Sequence, residues 1–229
     1  MRDTNDTRAI NRGRKFDQVR EGASEVFLRD GYASASVDDI ARAARVSKAT
    51  LYSYFPDKNL MFQAVLDATM TTAFGTAPFQ IDADVPARPG LEQALRQFGD
   101  WLLDPVVLQL HRIMLAEAGR FPDLARSYRM QRDAAVLAPL ARQVDLWATR
   151  GDLHCDDSAR LARQIYALFA ADLQQAALLG ESAAITPDEI GTLARTTADL
   201  VLRAHAPADK AADGAADKAA SAADEPGCL

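Results

Sequence analysis

Residues 36–58 read SVDDIARAARVSKATLYSYFPDK, and the punctuation of this stretch decides how the rest of the chain is read. Ser36 followed three residues later by Asp39 has the form of a capping box, in which a hydroxyl takes an orphan backbone N–H and the acid answers back, here with Asp shorter than the usual Glu. The spacing predicts a short helix from about Val37 to Ala44. A turn around Arg45 and Val46 follows. Ser47 then caps a second helix of about two turns, which Phe55-Pro56 ends because a residue before proline is pushed out of the α region. Two short helices joined by a tight turn are the layout of a helix-turn-helix.

On the second of these helices Leu51 and Phe55, four apart, face inward with Ile40 and Val46. Lys48 and Tyr52 form a different stripe that no core requirement explains, and Thr50 and Tyr54 form a third beside it. One Lys, one Ser, one Thr and two Tyr on so short a helix supply donors for phosphate oxygens and for base edges in a major groove. The competing reading is a solvated helix face with two half-buried tyrosines.

Working outward, apolar residues recur at three and four rather than at two, so an all-α protein is expected. Phe16, Val19, Ala23, Val26 and Phe27 make one stripe, and Gly31 sits where a helix C′ glycine would stop it. Asp57 caps a fourth helix through Leu60, Val65 and Leu66. The stretch 75–90, with Pro78, Pro86 and Pro89, reads as a linker or surface loop and marks a domain boundary. Beyond it Leu91, Ala94, Leu95, Phe98, Trp101 and Leu102 form an amphipathic helix, and Asp104-Pro105 and Phe121-Pro122 look like the starts of the next two. The second of these runs to about Thr149 and is expected to kink near Pro139. Asp157 caps a helix bearing Leu161, Ile165, Leu168, Phe169, Ala176 and Leu179, closed by Gly180. Thr186-Pro187-Asp188-Glu189 combines a capping box with an N1 proline and opens a last helix with Ile190, Leu193, Thr197, Leu200 and Val201. From Ala206 the chain becomes an Ala/Asp/Lys tail without anchoring side chains, expected to be disordered.

Composition narrows the classes. The 229 residues are 48% hydrophobic and 25% charged, enough for one large or two modest globular domains. The longest apolar run, 134–141, is interrupted by Pro139 and is far too short to span a bilayer, and the N-terminus has no apolar core for a signal peptide, so a cytoplasmic protein is expected. Cys155 and Cys228 offer neither a disulfide framework nor a metal-ligand spacing, and are read as free thiols. A net charge of -6 argues at first against a nucleic-acid binder. Divided along the chain, it does not: residues 1–62 hold 11 Lys/Arg against 9 Asp/Glu, with cations clustered on residues 1–15 and 42–58, and the remainder carries -8. A basic reading end on an acidic body favours docking DNA by one face.

The segment from Gly31 to Leu66, GYASASVDDIARAARVSKATLYSYFPDKNLMFQAVL, resembles the DNA-binding segment of the TetR/AcrR family of transcriptional regulators in its VSKxTLYxYF core and its F-x-x-K ending. The resemblance implies a dimeric all-α fold: an N-terminal three-helix helix-turn-helix domain, a connecting fourth helix, and a larger helical domain that binds a small ligand and dimerises through its last two long helices. It divides the chain into a flexible basic arm (1–15), a DNA-binding domain (16–62), a ligand-binding and dimerisation domain (63–205) and the tail (206–229). By position, Ser36, Thr50, Tyr52, Tyr54 and Lys58 correspond to phosphate-contacting residues, and Lys48 and Ala49 to base-reading ones. Ser47, as the cap, and Arg45, in the turn, complete the expected DNA-binding set. Arg45 stands where the family commonly has Gly, so a non-glycine residue is expected at positive φ, with an extra cation near the DNA. Ala35 replaces a frequent Thr, which is expected to remove one backbone contact.

His111–Leu124, HRIMLAEAGRFPDL, resembles the ligand domain of the AefR-like branch; its structural reading is a Glu117–Arg120 ion pair at i, i+3 ahead of a proline-started helix. Phe98, Trp101, His111, Met114, Tyr128, Trp147 and Phe169 are the large side chains expected to enclose a small, partly apolar effector, though each is also explained as ordinary core. Residues 158–179 and 187–204 carry the broad apolar faces expected to pair two copies. The partners expected are therefore a palindromic double-stranded DNA operator, a small-molecule effector and a second copy of the chain, without a membrane. No cofactor and no metal are expected, since neither His111 nor His154 has a second ligand at a zinc-like spacing. No nucleophile motif, phosphate loop or acid pair nominates an enzyme. The alternative is a helical small-molecule-binding or interaction protein that keeps a helix-turn-helix shape without using it on DNA.

Overall fold

The structure, a computed structural model, describes residues 13–181 and 184–207. Most of the basic arm expected over 1–15 and nearly all of the tail from 206, including Cys228, lie outside the described residues. Within them the regular structure is helical: α1 (Arg14–Ser34), α2 (Val37–Ala43), α3 (Lys48–Tyr54), α4 (Lys58–Phe74), α5 (Ala87–Leu102), α6 (Pro105–Glu117), α7 (Pro122–Thr149), α8 (Ser158–Ala176), a π turn (Ala177–Glu181) and α9 (Pro187–Ala204). No helix among the described residues is long and apolar enough to cross a membrane. Two compact units form: one from the chain up to Thr76 with Pro105–Gln131, the other from Ala77–Asp104 with the chain from Arg132 onward.

In the first unit α1 buries Val19, Ala23, Val26 and Phe27 against α2, α4 and α6. α1 and α2 meet closely because residue 22 is a glycine; a Cβ there would lie 2.4 Å from the Ala44 backbone nitrogen. The helix breaks at Gly31, as the sequence suggested, but with φ +72 and ψ −174. That is the extended positive-φ region open to glycine alone, rather than the left-handed conformation of an ordinary helix C′ residue. α4 buries Met61, Phe62, Val65, Leu66, Met70 and Phe74, whereas Leu60 is 49% exposed. Phe62 is the hub of an aromatic cluster, with ring centroids 5.0 Å from Phe27, 5.1 Å from Tyr32 and 4.9 Å from Phe121.

The second unit is built on α5, which packs against α8 and α9. Phe98 lies against Trp101, Tyr166 and Phe169, and Leu91, Leu102, Ile165, Ala194 and Val201 complete the core. The loop expected to end at Gly90 ends earlier, at Pro86, and Gly90 lies inside α5. Its role is room: a Cβ would meet Val85 Cγ1 at 2.4 Å and the Trp147 ring at 2.8 Å. Trp147 is fully buried and its Nε1–H donates to the Val85 carbonyl (3.0 Å), while the Arg150 guanidinium donates to the carbonyls of Ala83 (2.6 Å) and Val85 (2.7 Å). α7 continues through Pro139. α9 opens on the expected capping box, with Glu189 N–H donating to the Thr186 hydroxyl (3.3 Å) and Thr186 N–H donating to the Glu189 carboxylate (2.7 Å).

Candidate nucleic-acid interface

α2 starts where Ser36 accepts from Asp39 N–H (3.0 Å). The Asp39 carboxylate accepts from the Ser36 hydroxyl (2.5 Å) and from Arg42 (2.6 Å), in place of the reciprocal bond to the Ser36 backbone expected of a longer acid. The Ser36 hydroxyl first, and then Arg42, hold the Asp39 carboxyl below its usual range. α2 ends in a Schellman motif. Arg45 N–H donates to the Arg42 carbonyl (3.1 Å) and Val46 N–H to the Ala41 carbonyl (3.0 Å), which places residue 45 at C′, the position that demands a left-handed backbone. Arg45 accordingly has φ +54, the one non-glycine residue at positive φ among the described residues, as its substitution for a customary glycine implied.

Ser47 caps α3, accepting from Thr50 N–H (3.1 Å) and sharing a hydroxyl–hydroxyl hydrogen bond with Thr50 (2.9 Å). Leu51 and Phe55 are buried, as is Ile40, with Val46 half-buried beside them. That anchoring turns the other faces of α3 outward. Arg45, Ser47, Lys48, Ala49 and Tyr52 are exposed; Ser36, Thr50, Tyr54 and Lys58 are half-buried. Tyr54 has a structural role as well, its ring edge-on to Phe16 at 5.6 Å. Ala35, by contrast, is buried at 3% exposure, so the methyl group there fills core space.

Two charges in this region are already engaged. Lys48 Nζ lies 2.6 Å from Asp38 Oδ1, and that hydrogen bond, with the attraction behind it, raises the lysine above its ordinary value. Lys58 begins α4, behind an Asp57 cap on Leu60 N–H (2.8 Å), and its ammonium lies 4.5 Å over the Tyr32 ring. Burial first and the nearby Arg120 second lower the proton affinity of Lys58. Sequence reasoning missed Tyr32 and Asp38, although both lie inside the quoted resemblance; neither pairing is visible without the fold. The expected Glu117–Arg120 ion pair is not formed. The Arg120 guanidinium instead lies 4.9 Å over the same Tyr32 ring.

The seven candidate effector residues fall in both units. His111, Met114 and Tyr128 belong to the first, where His111 Nδ1 and the Tyr128 hydroxyl are hydrogen-bonded at 2.8 Å and Tyr128 lies edge-on to Phe74. Phe98, Trp101, Trp147 and Phe169 belong to the second, in the packing already described. A groove of about 610 Å³ on α8 and α9, lined by Leu161, Leu168, Leu200, Val201, Ala204 and His205 among others, includes none of the seven. Leu168 and Leu200 are each 54% exposed along it.

Known proteins match both parts of this arrangement. Residues 19–65 match the family model for bacterial regulatory proteins of the tetR family, and residues 89–207 match the AefR-like transcriptional repressor C-terminal domain. The solved structure of the flavonoid-responsive regulator FrrA is 32% identical, with a TM-score of 0.64, over 86% of this chain and 99% of that one. A TetR-family regulator from Mesorhizobium loti shares the fold, at 24% identity and a TM-score of 0.69 over 84% of this chain and 97% of its own. The transcriptional activator FasR of Mycolicibacterium smegmatis is 32% identical over 93 residues, which are 41% of this chain and 42% of FasR. The chain thus spans about two-fifths of the length of such curated relatives. With its reading helices and its C-terminal helices each matched, the chain belongs to the TetR family of bacterial transcriptional regulators.

Proposed function

We propose that this protein is a cytoplasmic, homodimeric repressor that holds a palindromic operator and releases it when a small, partly apolar effector binds its C-terminal helices. The observation that carries the reading is the surface of α3. Its buried Leu51 and Phe55 leave Lys48 and Ala49 exposed at the N-terminal turn, where a recognition helix contacts base edges, and Tyr52 exposed beside them to take a phosphate. Arg45, Ser47, Thr50, Tyr54, Ser36 and Lys58 are positioned around it to take phosphates. Half-exposed Leu168 and Leu200, along an apolar groove on α8 and α9, support pairing of two copies there. Such pairing would set two α3 helices about one helical turn of DNA apart, roughly 34–36 Å. The effector class follows the aromatic side chains packed together in the second unit and the flavonoid response named for FrrA.

Release requires the effector to prefer the non-binding conformation, with a coupling typically of about 1–3 kcal/mol. α6 and the opening of α7 lie within the C-terminal family match yet belong to the same compact unit as α1 to α4, which gives an effector a direct purchase on the reading helices. The test is selection of genomic fragments by the purified protein, with and without flavonoids and other planar apolar metabolites, followed by mobility-shift titration at two salt concentrations. Salt-dependent, sequence-selective binding that an effector weakens is expected. A dimer that takes up an effector but shows no salt-dependent DNA affinity would sink the proposal and favour a small-molecule-binding protein.

A further inference from the structure

Lys58 and Arg120 come from distant points of the chain, yet both cations lie within 5 Å of the centroid of one aromatic ring, that of Tyr32. Bringing two like charges together costs free energy, and the usual remedy is a carboxylate between them. Here, among the described residues, neither cation has a carboxylate within ion-pair distance. Glu117 acts on Lys58 only at longer range, and Asp123, the other acid near Arg120, is held by Arg126 at 2.7 Å. The negative face of the Tyr32 ring offsets part of the repulsion. Tyr32 is itself fixed by donating its hydroxyl to Asn59 and by packing against Phe62 and Phe121.

We propose that Lys58 and Arg120 form one phosphate-binding site for the DNA backbone, so that Arg120 is a DNA contact supplied from outside the helix-turn-helix. The inference rests on the DNA-binding reading above. Lys58 follows the end of the recognition helix by only four residues, so a phosphate next to the contacted bases is within its neighbourhood. Arg120 is exposed on the turn between α6 and α7, and a Cβ placed on the adjacent Gly119 meets nothing within 4 Å, so the turn is open to an approaching duplex. Beside it lies a hollow of about 280 Å³ whose lining includes Asn59, Gln63, Arg120 and Asp123; the two amides add neutral donors to the cationic one, and the Asp123 carboxylate is the one paired with Arg126. A phosphate oxygen between the two cations would relieve the repulsion that, after burial, lowers Lys58's proton affinity, and a guanidinium suits phosphate better than an ammonium does. The contact would also lie in the stretch that matches the AefR-like C-terminal domain, outside residues 19–65.

The test is a mobility-shift titration of sonicated genomic duplex across a salt series with wild type, Arg120→Gln, Arg120→Lys and Lys58→Gln. Each lost phosphate contact should reduce the slope of log affinity against log salt by about 0.9. Because each substitution removes the contact from both protomers of the proposed dimer, Arg120→Gln and Lys58→Gln are each expected to flatten the slope by about 1.8, equally on random and selected DNA, while Arg120→Lys keeps the wild-type slope. If Arg120→Gln leaves the slope unchanged, whether or not affinity falls, Arg120 is not a phosphate contact and the inference is overturned. A wild-type dimer without salt-dependent affinity overturns the DNA reading itself, and this inference with it.

Discussion

Arg45→Gly separates the stability of the turn from its use. The Schellman geometry at the end of α2 requires a left-handed residue at C′, and Arg45 meets it at φ +54 with a Cβ that crowds the following carbonyl. For an L-residue that crowding costs roughly 1–2 kcal/mol, and glycine removes it while adding back about 0.5–1 kcal/mol of unfolded-state entropy. The Arg45 side chain is exposed, so its loss forfeits little packing. The net expectation is a stabilisation of about 0.5–1 kcal/mol, which for a chain of this size raises the Tm by roughly 1–4 °C at fixed protein concentration. DNA binding moves the other way. The lost cation weakens affinity and, where it meets a phosphate, takes about 0.9 per protomer off the salt slope, about 1.8 for the dimer. Arg45→Ala is the control: it keeps the backbone strain and loses the charge, so its Tm stays near wild type while its DNA binding falls with that of Arg45→Gly. Differential scanning calorimetry and salt-titrated mobility shifts measure both halves. A lower Tm for Arg45→Gly would refute the strain argument, and unchanged DNA binding by both variants would remove Arg45 from the interface.

Gly22→Ala should destabilise by about 1–3 kcal/mol despite alanine's better helix propensity, because the atoms it strikes are Ala44 backbone and cannot swing away; chemical denaturation giving equal or higher stability would contradict this. Asp38→Asn releases Lys48 from its ion pair and is expected to raise affinity for random duplex, whereas Lys48→Ala should lower the ratio of operator to random binding by about tenfold. Leu168→Glu buries a charge in any α8–α9 pairing, so analytical ultracentrifugation should find a monomer while circular dichroism stays helical. Thr186→Ala should cost about 1 kcal/mol at neutral pH through loss of the α9 cap. Thr186 N–H first, and its hydroxyl second, lower the pKa of Glu189; a depressed acid stabilises above its unfolded pKa and stops doing so as pH falls through its folded value. Thr186→Ala keeps that N–H and loses only the hydroxyl, so its deficit should shrink in part, by the hydroxyl's share, as the pH is taken down through the carboxylate range, which thermal melts at neutral and acidic pH would show.

What was legible in the sequence and what was not divides along the range of the interaction. Ser36, Ser47, Asp57, Asp157 and Thr186 could each be read as caps because the group they satisfy lies three residues away on their own chain, and all five hold such a bond. The positive φ of Arg45 was legible only through the family resemblance, which places a customary glycine there. Gly90 was not legible: its reason is Val85 and the ring of Trp147, fifty-seven residues on, and nothing near position 90 distinguishes a glycine that makes room from one that ends a loop. The candidate site follows the same division. The α3 stripe was legible, since Leu51 and Phe55 set the inward face by spacing alone. The partners of its charges were not, since Asp38, Tyr32 and Arg120 reach Lys48 and Lys58 only through the fold. Spacing alone favoured Arg120 with Glu117, an i, i+3 pair on the protein surface worth a few tenths of a kcal/mol at most, so modest competition redirects it. The Tyr32 ring, which a half-buried lysine also approaches, supplies that competition. A local rule whose stake is that small forecasts poorly when both side chains are long, and that is why the cation of greatest interest for function lay inside a motif first read as structural.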